Sequence, residues 1–293
     1  MREFGKFHPI VNFIYFATVI GFSMILMNPV CLALSFCCGF AYSVMLGGRR
    51  AALTDLAVLA PVIVISAVFN VAFSHEGVTI LAYLPGGNPL TLESALYGAA
   101  AAVMLASVFF WFSCFNRIMT SDKLMYLFGG VVPSLSLTLS MSLRLVPRFT
   151  AKARKIFDAQ RGIGRGSGGI ISKMRGAAAT VSALLTWALE DAVETADSMR
   201  GRGFGTAKRT SFSLYKTDTR DIFAIVYLAA LIIYISAGKI SGGLNFLYFP
   251  AVTPIGRGAY EISLYAAFAF LAAMPIIIEV WEEIRWKHIQ SAI

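Results

Sequence analysis

Apolar runs too long for a soluble core set the terms for this chain. They cover Ile10 to Met27, Val30 to Leu46, Leu53 to Phe73, Ala95 to Cys114, Ile222 to Ala237 and Ala259 to Val280. In hydrocarbon no water satisfies a bare peptide N–H or C=O. A run of this kind therefore folds as a helix that closes its backbone hydrogen bonds within itself. Of the residues, 57% are hydrophobic and only 14% are charged, against roughly 25% charged in soluble domains. The expectation is an all-α polytopic membrane protein of about six spanning helices in the cell membrane. A second apolar run follows the first at once, and no small-residue cleavage site separates them, so the first is expected to be retained.

Charge orders these spans. The chain carries a net charge of +9, and 15 of its 25 Lys and Arg lie between Arg144 and Arg220. So uneven a distribution argues against nucleic acid and for one large cytoplasmic segment, with anionic lipid headgroups of the bilayer favouring the same placement. The Asn28-Pro29 turn makes the first two runs a hairpin, and Gly47-Gly48-Arg49-Arg50 returns the chain to the cytoplasm. Ser74 to Glu93 has no Lys or Arg, and its turn-forming Pro85, Gly86, Gly87, Asn88 and Pro89 place it outside as a loop. The expected organisation is N-terminal transmembrane helices over 1–123, a cytoplasmic coupling domain over 124–220 and C-terminal transmembrane helices over 221–293. Both termini are then cytoplasmic.

The run from Leu124 to Ser142 has cations at both ends, and Gly129-Gly130 and Pro133 break its middle. It is expected to lie along the cytoplasmic face or to re-enter. The alternative is an ordinary kinked span.

The polar insertion holds two amphipathic helices. The first covers Leu145 to Arg161, carries Arg148, Lys152, Arg154 and Lys155, and ends in a glycine-rich linker with Arg165. The second starts near Ile170. Ile171, Met174, Ala178, Val181, Leu185, Ala188, Ala192, Ala196 and Met199 draw one stripe along it. Lys173, Arg175, Glu190, Asp191, Glu194 and Asp197 occupy the other side, with Asp197 spaced to pair with Arg200. The stripe predicts that this helix lies against another element. Gly201-Arg202-Gly203 ends it, because glycine adopts the left-handed cap conformation, and Arg202 sits at the favourable end of the helix dipole.

Catalytic and metal chemistry find no footing. The chain has no Walker-type phosphate loop, HExxH or GxSxG. Cys31, Cys37, Cys38 and Cys114 lie in apolar runs without metal-ligand spacing, and His8, His75 and His288 are far apart. No cofactor, no metal and no enzymatic activity are expected. Asp55 and Glu261 lie only at span ends, whereas a chain carrying an ion through itself needs ionisable residues along the spans.

Several stretches resemble one family. DAQR (Asp158 to Arg161), WALEDAVETADSM (Trp187 to Met199) and GRGFG (Gly201 to Gly205) followed by Arg209-Thr210 look like the transmembrane component of energy-coupling factor transporters. His8-Pro9 and NPLTLE (Asn88 to Glu93) also fit. The resemblance implies a coupling scaffold of an ABC-type importer for vitamins or trace metals such as cobalt or nickel. Its implied partners are two cytoplasmic ATP-binding subunits and a membrane-embedded substrate-binding subunit. In that family two helix ends dock into the ATPases through motifs centred on arginine. One maps onto Gly201, Arg202 and Gly203. For the other, the family pattern falls on Gly162-Ile163-Gly164, and the docking arginine is either Arg161 or Arg165. The small residues Ala177, Ala178, Ala179 and Ala188 either pack between helices or form the groove against which the substrate-binding subunit slides. The alternative function is a self-sufficient secondary transporter or channel.

Overall fold

The computed structural model describes residues 4–74, 77–83, 89–129, 133–164, 169–206, 215–254 and 256–291. The chain divides into two compact units. One joins Met1–Leu124 with Tyr215–Ile293, and the other is Met125–Leu214. The architecture is that of an all-α polytopic membrane protein.

In the first unit, α1 (Pro9–Ile25) leads into α2 (Pro29–Phe73), α3 (Leu92–Ile118) and the start of α4 (Ser121–Gly129). After the second unit the chain returns through α7 (Thr219–Ile240) and α8 (Ala259–Ser291). Among the described residues, α2 (over Pro29–Asn70), α3, α7 and α8 are long and apolar enough to cross a membrane, and α1 is a shorter apolar helix. Asn28 caps α2 by accepting a hydrogen bond from the Val30 amide at 3.1 Å. This cap and Pro29 at the first helical position explain why the chain turns there. The second and third apolar runs share α2, but Gly48 breaks it with a φ of 78° and a ψ of 166°. Only glycine adopts that conformation without strain.

The short helix α1 is the centre of the packing. Its Val11, Tyr15, Phe16 and Val19 are fully buried. Tyr15, Phe16 and Tyr42 surround Trp111 of α3, with ring centroids 6.0 to 6.4 Å apart. A buried hydroxyl chain crosses the same region. Ser35 lies 2.6 Å from both Ser23 and Ser107 and accepts a hydrogen bond from the Trp111 indole at 3.0 Å. In a lipid-embedded core such groups must satisfy one another, and these do so across α1, α2 and α3. Where α1 begins, the His8 amide donates to the buried Asp221 carboxylate at 3.0 Å, tying the start of α1 to that of α7. Asp55 accepts from Arg117 and Ser113 at 3.0 Å, linking α2 to α3.

The stretch expected to be a loop of turns contains sheet. β1 (Ile80–Tyr83) and β2 (Pro89–Thr91) pair antiparallel, with Ile80 opposite Thr91 and Tyr83 opposite Pro89. The buried carboxylate of Glu93 anchors it, accepting from the Thr79 hydroxyl at 2.7 Å and the Thr79 amide at 3.2 Å. The physical reason is the β-branched and aromatic content of Thr79 to Tyr83, which the neighbouring glycines and prolines masked.

In the second unit, α5 (Pro133–Gly162) is followed by α6 (Ile170–Gly201). The first amphipathic helix thus starts at Pro133 and not at Leu145. Proline at a helix's first position has no intrahelical amide bond to lose, and the helix continues through Pro147. The run from Leu124 to Ser142 is divided between α4 and the start of α5, and among the described residues neither helix is long and apolar enough to cross a membrane. Prolines interrupt α2 (Pro61), α5 (Pro147) and α8 (Pro275), whereas the 32 residues of α6 contain none.

Candidate functional site

The residues singled out in the sequence lie at the ends of α5 and α6, and the pairing of these two helices positions them. Arg148 of α5 donates twice to Asp191 of α6, at 3.3 and 3.4 Å. Phe149 meets the edge of Trp187 at 5.7 Å and 77°, and the Lys152 ammonium lies 5.1 Å from the same ring. Further along, Gln160 lies 3.4 Å from the Thr180 hydroxyl. As residue numbers rise on α5 they fall on α6, so the helices run antiparallel.

That register sets the spacing of the ends. The end of α5 lies beside the first third of α6, near Ala178, while α6 continues to Gly201. At about 1.5 Å per residue, the remaining length puts the two ends roughly 35 Å apart. Two separate partners can therefore reach them.

The end of α6 is a Schellman cap. Gly203 takes a φ of 80°. The Phe204 amide donates to the Met199 carbonyl at 3.0 Å and the Gly203 amide to the Arg200 carbonyl at 2.9 Å. Arg202 is the capping residue, with a φ of −84° and a ψ of 7°. Gly201, Arg202 and Gly203 are all exposed. Two reversed amide bonds thus fix the backbone under a solvent-facing guanidinium, in a turn that also satisfies the last helical carbonyls.

The end of α5 is built alike. Gly164 takes a φ of 79°, and its amide donates to the Arg161 carbonyl at 3.0 Å. Arg161 is exposed, and its guanidinium carbon lies 5.7 Å from the ring centroid of Phe157, one turn back along its own helix. Arg165 and the Arg209-Thr210 pair lie outside the described residues.

The apolar stripe of α6 does not pack on α5. Its Ile171, Met174, Val181 and Leu185 are exposed. The face turned to α5 instead carries the buried Gly176 and Thr180 together with Trp187 and Asp191. On the acidic face, the sequence spaced Asp197 to pair with Arg200. The ion pair that forms on it joins Asp191 to Arg148 of the other helix. Among the described residues, no group of three or more His, Cys, Asp or Glu side chains stands where it could hold a metal ion.

No family model matches the chain. Curated relatives match parts of it. An uncharacterized protein of Mycoplasma genitalium is 31% identical over 112 residues, which are 37% of this chain and 27% of that protein. Its Mycoplasma pneumoniae homologue is 29% identical over 112 residues, 37% of this chain and 26% of that protein. A Lactobacillus helveticus protein named energy-coupling factor transporter transmembrane protein EcfT is 29% identical over 113 residues, 38% of this chain and 41% of its own length. The chain thus spans less than half the length of the curated relatives it matches. Over that stretch it is related in sequence to the transmembrane component of an energy-coupling factor transporter.

Proposed function

We propose that this protein is the coupling scaffold of an energy-coupling factor importer, carrying the motion of two cytoplasmic ATP-binding subunits to a membrane-embedded substrate-binding subunit. Vitamins or trace metals are the cargo class that the resemblance implies, and the partner subunit selects among them. The observation that carries the reading is the end of α6, where an exposed Arg202 sits on a backbone locked by the Gly203 cap. A guanidinium is suited to this role because its planar fork pairs with a carboxylate through two hydrogen bonds. The antiparallel register supports it further, since ends roughly 35 Å apart leave each ATP-binding subunit its own handle.

In this reading the second unit is cytoplasmic, both termini lie on that side, and the exposed stripe of α6 faces the substrate-binding subunit. ATP binding and hydrolysis move the two ATP-binding subunits relative to each other. The helix ends follow, and the stripe reorients the partner it touches. The chain itself holds neither nucleotide nor substrate.

The test is Arg202→Glu in the full complex reconstituted in liposomes. Reversing the charge places two anions together at the docking surface. Uptake is expected to fall to background, with the ATP-binding subunit at that end lost on purification. Wild-type uptake together with full recovery of both ATP-binding subunits would rule out the docking role of Arg202. Uptake by this chain alone would instead establish a self-sufficient transporter.

A further inference from the structure

The two helix ends share one backbone design but differ at the position that faces outward. Arg161-Gly162-Ile163-Gly164 ends α5 and Arg200-Gly201-Arg202-Gly203 ends α6. Gly164 and Gly203 hold φ values of 79° and 80°. The Ile163 amide donates to the Ala159 carbonyl at 3.3 Å, as the Arg202 amide does to that of Ser198 at 3.1 Å. The next amide, of Gly164 or Gly203, donates to the Arg161 or Arg200 carbonyl at 3.0 or 2.9 Å. Residue by residue, Arg161 therefore corresponds to Arg200, and Ile163 corresponds to Arg202.

Ile163 is 75% exposed. An isoleucine presented to water on a locked turn is an apolar knob. Arg161 is drawn back along its own helix, its guanidinium carbon 5.7 Å from the Phe157 ring centroid. We propose, building on the coupling reading above, that the α5 end docks through Ile163 into an apolar groove of one ATP-binding subunit. The α6 end docks through Arg202 into an acidic groove of the other. The two grooves are then chemically distinct, and the two ATP-binding subunits are not interchangeable on this scaffold.

The experiment co-expresses the full chain with its ATP-binding and substrate-binding subunits and measures how much of each ATP-binding subunit is recovered with it. Ile163→Asp and Ile163→Arg are expected to lower recovery of the subunit at the α5 end about tenfold, which corresponds to about 1.4 kcal/mol. Ile163→Leu should retain it. Because Ile163 is exposed, the helical circular dichroism of these variants should match wild type. Raised salt should weaken the hold at Arg202 and leave the hold at Ile163 intact. Unchanged or increased recovery with Ile163→Arg overturns the proposal, since it would mean that the α5 end meets an acidic groove as well. Arg202→Glu run in parallel separates the two levels. If it releases an ATP-binding subunit while the Ile163 variants release none, only the assignment of Ile163 fails. If none of the variants releases a subunit, the coupling reading fails with it.

Discussion

Gly203 holds a φ of 80°, in a region that costs an L-residue with a Cβ roughly 1–2 kcal/mol. Its task is to stop α6 and fix Arg202 at the same time, since its own amide and that of Phe204 close back on the helix. Gly203→Val should therefore unlock the turn without unfolding the helix. Faster amide hydrogen exchange at Gly203 and Phe204, with the rest of α6 still protected, is the expected outcome. Unchanged exchange at those two amides would mean that valine is accommodated there. At this scale the sequence was legible up to a limit. The glycines after Arg200 announced a helix end, and Arg202 was visible as a cation on it. The family pattern already fell on Gly162-Ile163-Gly164, and matching φ values and amide partners pair Ile163 with Arg202 on the backbone.

Helix starts were readable because proline and capping side chains act locally. Asn28-Pro29 starts α2 as expected, and Pro133 starts α5 once its helix-initiating role is given more weight than its breaking role. What local rules could not supply was the choice of face. The α6 stripe predicted burial, yet the helix meets α5 through Thr180, Trp187 and Asp191, since two-helix packing follows cross-helix partners that no window on one helix contains. The same logic governs α7 and α8, where the backbones approach closely at Gly238. A Cβ there would clash with the Leu264 side chain. Gly238→Val should destabilise the pair by about 1–3 kcal/mol through overpacking, read as a lower thermal midpoint of the detergent-solubilised protein. Adding Leu264→Ala should restore part of that loss. No recovery in the double variant would show that the clash is not with this side chain.

Across the whole molecule, hydropathy and charge gave the number of apolar runs and the basic insertion between them, because both are sums over many residues. The break of α2 at Gly48 falls between the second and third runs, where the glycines were expected to turn the chain, whereas the hairpin of β1 and β2 escaped, since it depends on a few backbone angles inside a longer stretch. One further property of the whole follows from the distribution of proline. Helices α2, α5 and α8 each contain a proline, and α6 does not. Proline removes an amide donor and crowds the preceding turn, so the first three have points of give and α6 has no such point. Displacement applied at Gly201 then meets no proline joint before Ile170. Ala183→Pro, on an exposed position midway along α6, introduces the missing joint at a cost of about 3 kcal/mol. In the complex it should leave both ATP-binding subunits attached and hydrolysing ATP while cargo uptake falls, an engine running with its shaft cut. Wild-type uptake in that variant would show that transmission does not depend on an unbroken α6.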